Sequence, residues 1–192
     1  VGTSVGRPRL VALSTKILLF SDGGANNLVA RALDPAAPGT AISGGGSTVL
    51  ATNYNAYYDV VRVPGADTAV VAARRVTTTS YSILKVTAAL AVTAATPART
   101  CDGPIAISVE PTGTNIQIVR ANGTNIQGDL VSVSALADVF TAQAVGTAAG
   151  TPVNQIAAAH RSVQNGGAYR CYAFWSAQES SSSATWVSKS NF

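Results

Sequence analysis

Residue types that carry most enzyme and metal chemistry are scarce in this sequence of 192 residues. It has one histidine, His160, two cysteines, Cys101 and Cys171, and no methionine. A single histidine at the end of a strand pattern is typical of a hydrogen-bonded structural residue. Two cysteines are too few for a disulfide framework and lack the spacing of a zinc site. The sequence predicts no metal-binding residue and no cofactor.

Carboxylates are also few, and most have a simpler explanation than catalysis. A glycosidase needs two carboxylates in one cleft, about 5–10 Å apart. Asp22, Asp67 and Asp102 lie in predicted loops beside Gly or Ala, where Asp favours turns by bonding to nearby backbone. The only glutamates, Glu110 and Glu179, lie beside turn residues. The sequence therefore predicts no catalytic residue and no enzyme activity.

Charged residues and long apolar runs are infrequent. Only 11% of residues are charged, whereas an ordinary soluble domain has about 25%. The net charge of +4 is spread along the whole chain. Nucleic-acid binding relies on a clustered basic stripe with stacking aromatics, so sequence-specific nucleic-acid binding is not predicted. The longest apolar runs, such as KILLF and TAVVAA, fall far short of the roughly 20 residues of a membrane-spanning helix.

A pattern of short strands recurs along the chain. The segments PRLVALS, YYDVVRVP, GPIAISVEP and PVNQIAAAH each combine apolar or β-branched residues with turn residues at their ends. They start near Arg9, Tyr58, Pro104 and Val153, at spacings of 49, 46 and 49 residues. After each comes a tight turn, a second strand, a polar loop and a third strand. A fourth strand follows in the first three units, and LADVFTAQAVG is interpreted as one of these strands rather than as a helix.

This recurrence predicts an all-β fold, a β-propeller-like array of about four four-stranded antiparallel blades. The blades cover residues 7–52, 53–99, 100–150 and 151–192, within one domain that spans residues 1–192. Regular short strands are also compatible with a β-sandwich or jelly roll. The recurrence from unit to unit favours the propeller over that alternative.

The ends of the chain are out of phase with the repeat. VGTSVGRPRLVALS at the start is similar to VGTAAGTPVNQIAAA at residues 145–159, where a fourth strand leads into the next first strand. The last unit stops after its third strand. Either the leader pairs with the last sheet and closes a ring, or the chain is a slice of a larger propeller, and we expect the slice because the leader is short.

The blade model also makes predictions for individual side chains. Cys101 precedes a first strand and Cys171 begins a second strand, so we expect them near opposite faces of the disc, about 17 Å apart. That separation is too large for a disulfide and predicts two free thiols. Trp175 and Trp186 lie on neighbouring strands of the last hairpin, and we expect them to pack between blades.

One candidate contact patch stands out. Tyr54, Tyr57 and Tyr58 lie within five positions, and tyrosine serves amphipathic contacts well. Alternation turns Tyr57 and Tyr58 to opposite faces of a strand, so at most two of the three share a surface. The structural alternative is that one is in the core while the others cap the edge of a blade.

The repeat pattern, the Ala/Thr/Ser-rich linkers and the aromatic hairpin YRCYAFWSAQESSSSATWVSKSNF at residues 169–192 resemble propeller regions in large tail proteins of short-tailed bacteriophages, of the nozzle type. The resemblance implies a non-enzymatic structural protein of the virion. It also implies a homo-oligomer, a symmetric ring of copies that contacts other virion proteins. In those proteins the propeller lies within a much longer chain. The alternative function is a secreted, lectin-like β-propeller that binds a glycan receptor.

Overall fold

The computed structural model describes residues 8–37, 47–95, 99–148, 152–160, 171–179 and 182–189, and these residues form fifteen β-strands and no helix. The first eight strands are β1 (Arg9–Ala12), β2 (Ile17–Asp22), β3 (Asn27–Leu33), β4 (Thr48–Thr52), β5 (Tyr54–Arg62), β6 (Thr68–Arg75), β7 (Tyr81–Thr87) and β8 (Val92–Ala95). The remaining strands are β9 (Ile105–Val109), β10 (Asn115–Asn122), β11 (Asn125–Ser132), β12 (Asp138–Thr147), β13 (Val153–His160), β14 (Cys171–Glu179) and β15 (Ser182–Lys189). None of the described segments is a helix that could cross a membrane.

The strands form four antiparallel sheets, each built from strands that are consecutive in the chain. The first sheet contains β1–β4, the second β5–β8, the third β9–β12 and the fourth β13–β15. The predicted all-β class of repeated antiparallel sheets is therefore confirmed. Among the described residues the fourth sheet has three strands, as the pattern of the last unit predicted.

Some strand bounds differ from the prediction. The fourth strand of the second unit was predicted around AALAVTAA, and within that segment β8 begins only at Val92. Residues 88–91 form a turn instead, in which Leu90 has a φ of 62° and donates its N–H to the Thr87 carbonyl at 2.9 Å. β5 begins at Tyr54, earlier than the predicted start near Tyr58. LADVFTAQAVG contains β12 and no helix, as predicted, whereas the ISGGG part of the fourth strand in the first unit lies outside the described residues.

The first strands of the four sheets lie next to one another in chain order: β5 contacts β1, β9 contacts β5, and β13 contacts β9. Polar side chains connect this row. Asp59 on β5 accepts hydrogen bonds from Arg9 Nε of β1 at 3.1 Å and from the backbone N–H of Ile107 on β9 at 3.2 Å. Nδ1 of His160, at the end of β13, lies 2.8 Å from Ser108 Oγ on β9. Sheets joined through their first strands form the propeller-like arrangement, rather than two sheets packed face to face.

Three apolar cores lie between successive sheets, and β6 shows why the sequence produces them. On this strand Ala69 and Val71 pack toward the first sheet, while Val70 and Ala72 pack toward the third. A strand with both faces covered is apolar at nearly every position, which explains the run TAVVAA. Trp175 is 6% exposed in the core between the third and fourth sheets, as predicted, and the side chain of Trp186 lies outside the described residues.

Candidate binding site

The three tyrosines of the predicted contact patch do not form one surface. Tyr54 and Tyr58 are 9% and 4% exposed and belong to the core between the first and second sheets. The Tyr58 hydroxyl donates to the carbonyl of Phe20 at 3.2 Å, and burial raises its pKa to about 12. Tyr57 points to the opposite face of β5, as the alternation predicted, and it lines a surface pocket. Only Tyr57 therefore remains a candidate contact residue.

The pocket beside Tyr57 has a volume of about 180 Å³ and lies where the second, third and fourth sheets meet. Its wall comes from the segment before β9, the turn between β10 and β11 and the start of β13, in addition to β5. The lining residues are Tyr57, Asp102, Gly103, Ala121, Gly123, Pro152 and Val153. Sequence reasoning missed this pocket because its residues are far apart in the chain and meet only through packing of the sheets.

Asp102 supplies the only carboxylate among the residues that line the pocket. Both of its oxygens accept the backbone N–H of Gly123 at 2.9 Å, which fixes the carboxylate against the β10–β11 turn. Gly123 has a φ of 60°, a conformation that glycine adopts without strain. Gly103 is required for close packing, because a Cβ there would lie 2.9 Å from the Ala121 Cβ. The carboxylate keeps lone pairs for further hydrogen-bond donors.

The guanidinium group of an arginine lies over the face of the Tyr57 ring. The Arg74 guanidinium carbon lies 5.6 Å from the ring centroid, within the range of a cation–π contact. Arg74 Nε is buried and has no hydrogen-bond partner.

The lining of the pocket is suited to binding a small ligand. An aromatic ring, one anchored carboxylate and two glycines give an amphipathic cleft with hydrogen-bond acceptors. One carboxylate falls short of the oxygen cage that a calcium ion requires. Cys101, next to Asp102, is completely buried, and burial raises the pKa of its thiol to about 12. The thiolate needed for nucleophilic attack is therefore disfavoured.

A cluster of charged residues lies buried between the second and third sheets. Asp129 is fully buried and accepts hydrogen bonds from Arg120 Nε at 2.7 Å, the Tyr81 hydroxyl at 2.8 Å and the backbone N–H of Ala142 at 2.6 Å. Arg99 NH1 lies 3.2 Å from the same carboxylate. Burial alone would raise the pKa of Asp129, but these hydrogen bonds and the two guanidinium charges hold it below its usual value.

This charged cluster is structural in character. Arg99 also forms an ion pair with Asp138, and it donates to the Tyr81 hydroxyl at 3.0 Å. The side chains of Arg99 and Arg120 are 8% and 2% exposed, and burial raises the pKa of the Tyr81 phenol. Buried charged groups that pair with one another hold neighbouring sheets together. This cluster was missed by sequence analysis; the signal that could have found it is the placement of Arg120 and Asp129 among apolar residues of the neighbouring strands β10 and β11.

Neither the cysteines nor the histidine line the pocket. Cys101 and Cys171 are free thiols, and both are completely buried. His160 pairs with Cys171 across β13 and β14, and it reaches Ser108 on the third sheet. Burial lowers the pKa of His160 to about 4. Nearby Gln117, the cross-strand partner of Ser108, is fully buried and neither atom of its amide group has a hydrogen-bond partner.

His160 makes the contact between the third and fourth sheets sensitive to acid. The unfolded chain binds a proton at His160 near its ordinary pKa of 6.5, but the folded chain does so only near 4. The contribution of neutral His160 to the free energy of unfolding is therefore fully present above pH 6.5 and is lost as the pH drops from 6.5 toward 4. We expect a loss of about 1–2 kcal/mol, less than the full shift implies because His160 is partly exposed.

Urea unfolding at several pH values between 7.5 and 4.5 measures this loss. In His160→Gln the part of the pH dependence due to His160 should disappear, although the carboxylates still titrate. Equal slopes of the free energy of unfolding against pH in the wild type and in the variant would contradict the expectation.

Comparison with known proteins supports the fold. No family model and no curated protein matches the sequence. Among solved structures, the chain is similar to the crystal structure of a subtype N11 neuraminidase-like protein of A/flat-faced bat/Peru/033/2010 (H18N11), with a TM-score of 0.50 and 11% sequence identity. The match covers 98% of this chain and 61% of that one, so this chain spans about three fifths of its length. At this identity the likeness shows the fold alone, which is a β-propeller.

Proposed function

We propose that this protein is a non-enzymatic structural component of a bacteriophage virion, a tail protein that acts by assembling into a symmetric oligomer. The observation that supports the assembly proposal is a set of exposed apolar side chains on the outer face of the first sheet, among which Leu10 and Val49 are 65% and 52% exposed. The resemblance of the repeats and of the hairpin at residues 169–192 to nozzle-type tail proteins supports the location in a virion.

The outer face of the first sheet, opposite the core shared with the second sheet, carries Leu10, Ala12, Ile17, Leu19, Leu33 and Val49, with Arg31 and Ser21 among them. Leu10 and Val49 are 65% and 52% exposed. Exposed apolar side chains that share one sheet face suit a contact with another protein surface.

The carboxylates support the non-enzymatic part of the proposal. Every aspartate has a structural partner close to it in space. Asp22 and Asp102 accept the backbone N–H groups of Gly24 and Gly123, and Asp67 accepts hydrogen bonds from Ser14 and Thr15. The other four pair with basic side chains: Asp34 with Lys16, Asp59 with Arg9, and Asp129 and Asp138 with arginines. Glu110 accepts a hydrogen bond from Asn115 at 2.9 Å. Among the described side chains, no two carboxylates share an open cleft. We therefore expect no hydrolysis of a fluorogenic sialoside above background.

The virion assignment is tested on particles. Phage particles purified through a density gradient from the cells that produce the protein should contain its peptides in mass spectra, at a fixed ratio to the capsid protein. An electron cryomicroscopy map should show several symmetric copies in the tail. Recovery of the protein only from the secreted or soluble fraction would contradict the proposal.

A second function, glycan binding, is favoured by the pocket at Tyr57. Sugar rings stack on aromatic side chains, and their hydroxyls donate to carboxylates. Tyr57 and Asp102 present these two features in one cleft. A pocket that binds sugars could serve a virion protein or a secreted protein, so glycan binding is compatible with either location.

A glycan array followed by calorimetry tests this second function. For any sugar that binds, Tyr57→Ala and Asp102→Asn should each weaken binding about tenfold, equivalent to about 1.4 kcal/mol, through loss of stacking or of the anchored acceptor. Thr112→Ala, on the exposed turn between β9 and β10, is the matched control. Absence of binding across the array, or unchanged affinity in the Tyr57 variant, would eliminate the pocket as a glycan site.

A further inference from the structure

We infer that Asn122 is a latent site of spontaneous deamidation, and that the Asp102 carboxylate protects it by holding the backbone N–H of Gly123. Two Asn–Gly steps occur in the sequence, Asn122–Gly123 and Asn165–Gly166. Asparagine deamidates most readily when glycine follows it, because glycine has no side chain to hinder the ring closure that starts the reaction. The inference goes beyond both proposed functions, since this chemistry needs only the chain and water.

Deamidation at this step begins at the backbone nitrogen of Gly123. The nitrogen attacks Cγ of Asn122, so that a new C–N bond closes a five-membered succinimide ring and the C–N bond of the side-chain amide breaks. The proton lost by the Gly123 nitrogen leaves with the amide group as ammonia. Water then adds to one of the two ring carbonyls and opens the ring, which gives aspartate or isoaspartate at this position. Water is the only co-reactant, and nothing is oxidised or reduced.

The fold holds both reacting groups apart from this ring closure. Asn122 is the last residue of β10 and pairs with Asn125 of β11 across the turn. Both oxygens of Asp102 accept the Gly123 N–H at 2.9 Å. A hydrogen bond to a carboxylate is charge-assisted and stabilises the protonated amide, whereas the nitrogen must lose that proton to attack. The same hydrogen bond restrains the peptide unit from rotating toward the Asn122 side chain.

The turn itself offers little other protection. Gly123 is exposed, so water reaches the step. Its φ of 60° also favours glycine, so a bulkier residue that would slow the reaction is disfavoured at this position. The glycine that the turn requires therefore makes the step labile, and Asp102, which comes from the segment before β9, supplies the restraint.

Deamidation would alter the wall of the pocket at Tyr57, because Asp102 and Gly123 both line it. Aspartate in place of Asn122 would add a negative charge next to the N–H that Asp102 accepts. Isoaspartate would lengthen the backbone by one methylene group beside a turn of only two residues, whose geometry is narrowly defined. Either product should weaken the hydrogen bond between Gly123 and Asp102.

Incubation at neutral pH, followed by peptide mapping with mass spectrometry, tests the inference. In the folded wild type, Asn122 should deamidate at least about tenfold more slowly than in the urea-unfolded chain, since ring closure must wait for the turn to open locally. Asp102→Ala removes a charge-assisted hydrogen bond and should accelerate deamidation of Asn122 about tenfold. Within the same sample, the rate at Asn165–Gly166 should not change. Asp67→Ala is the matched control, because Asp67 also accepts a backbone N–H, that of Ser14, in an exposed turn.

Two results with Asp102→Ala would overturn the inference. An unchanged rate at Asn122 would show that strand pairing alone protects the step, and a slower rate would show that the carboxylate promotes ring closure as a base. Hydrogen exchange in the wild type is a second measurement, which decides the matter if Asp102→Ala does not fold. Although Gly123 is exposed, its N–H should exchange at least about tenfold more slowly than in the unfolded chain. Exchange at the unfolded rate would show that Asp102 does not hold this N–H.

Discussion

Asp129→Asn is expected to lower the free energy of unfolding by about 3–5 kcal/mol, because it leaves the buried guanidinium group of Arg120 without a counter-charge. Asp129 contacts Arg120, Arg99 and the Tyr81 hydroxyl with one carboxylate, and it is completely buried. An amide cannot replace the negative charge, and its N–H₂ group would face donors. Urea unfolding followed by circular dichroism at pH 7 measures the loss.

The matched control is Asp138→Asn, which removes a carboxylate from the same cluster. Asp138 also pairs with Arg99, but its side chain is 43% exposed. Exposed ion pairs contribute little because water screens them, so we expect a loss below about 1 kcal/mol. Equal losses of unfolding free energy in the two variants would show that the cost of Asp129→Asn does not arise from the burial of its charge.

The acid response of Asp129 follows from the same contacts. Its pKa in the folded protein lies below its ordinary value of 3.8, so its contribution to stability is complete above that value and is lost as the pH falls through the lower, folded pKa. His160 acts at higher pH, between 6.5 and about 4. On acidification, the contact between the third and fourth sheets should therefore weaken before the contact between the second and third.

The repeated architecture was predictable from sequence because each sheet packs against its neighbour through the same kind of apolar face. Strands of alternating or continuous apolar character and turns with Gly, Asn and Asp recur at nearly constant spacing, and the four sheets follow that spacing. β12 was recognised as a strand from its β-branched residues and its position. The turn at residues 88–91 was missed, since Ala and Leu carry no turn signal and Leu90 adopts a positive φ only in this context.

The site was less predictable, because its residues meet through packing between sheets. Alternation correctly separated Tyr57 from Tyr58 and is compatible with Tyr54 and Tyr58 on one face, but it could not show which face is buried. A register shift in the pairing of β5 with β6 lies between those two residues. Asp102 was predicted to serve a local turn. It instead anchors the turn at Gly123, 21 residues later, and thereby forms one wall of the pocket.

Replacing Trp175 with alanine is expected to lower the free energy of unfolding by about 3–5 kcal/mol, the usual cost of removing a large buried aromatic side chain. Trp175 is 6% exposed and lies in the core that attaches the fourth sheet to the third. Phe174→Ala is the matched control, since the adjacent side chain lies on the opposite, open face. In dilute, monomeric protein we expect it to cost less than about 1 kcal/mol.

The close approach of Gly146 to the Trp175 ring allows a sharper version of this test. A Cβ at Gly146 would lie 2.7 Å from Trp175 Cη2, so Gly146→Ala must displace the ring and should cost about 1–3 kcal/mol. In the Trp175→Ala background the added methyl group enters the space that the ring vacates, and the cost should largely vanish. A double-mutant cycle from urea unfolding measures the coupling, which we expect to reach about 1–3 kcal/mol. Additive effects would show that the two residues do not touch, and that the fourth sheet packs on the third in a different register from the one described.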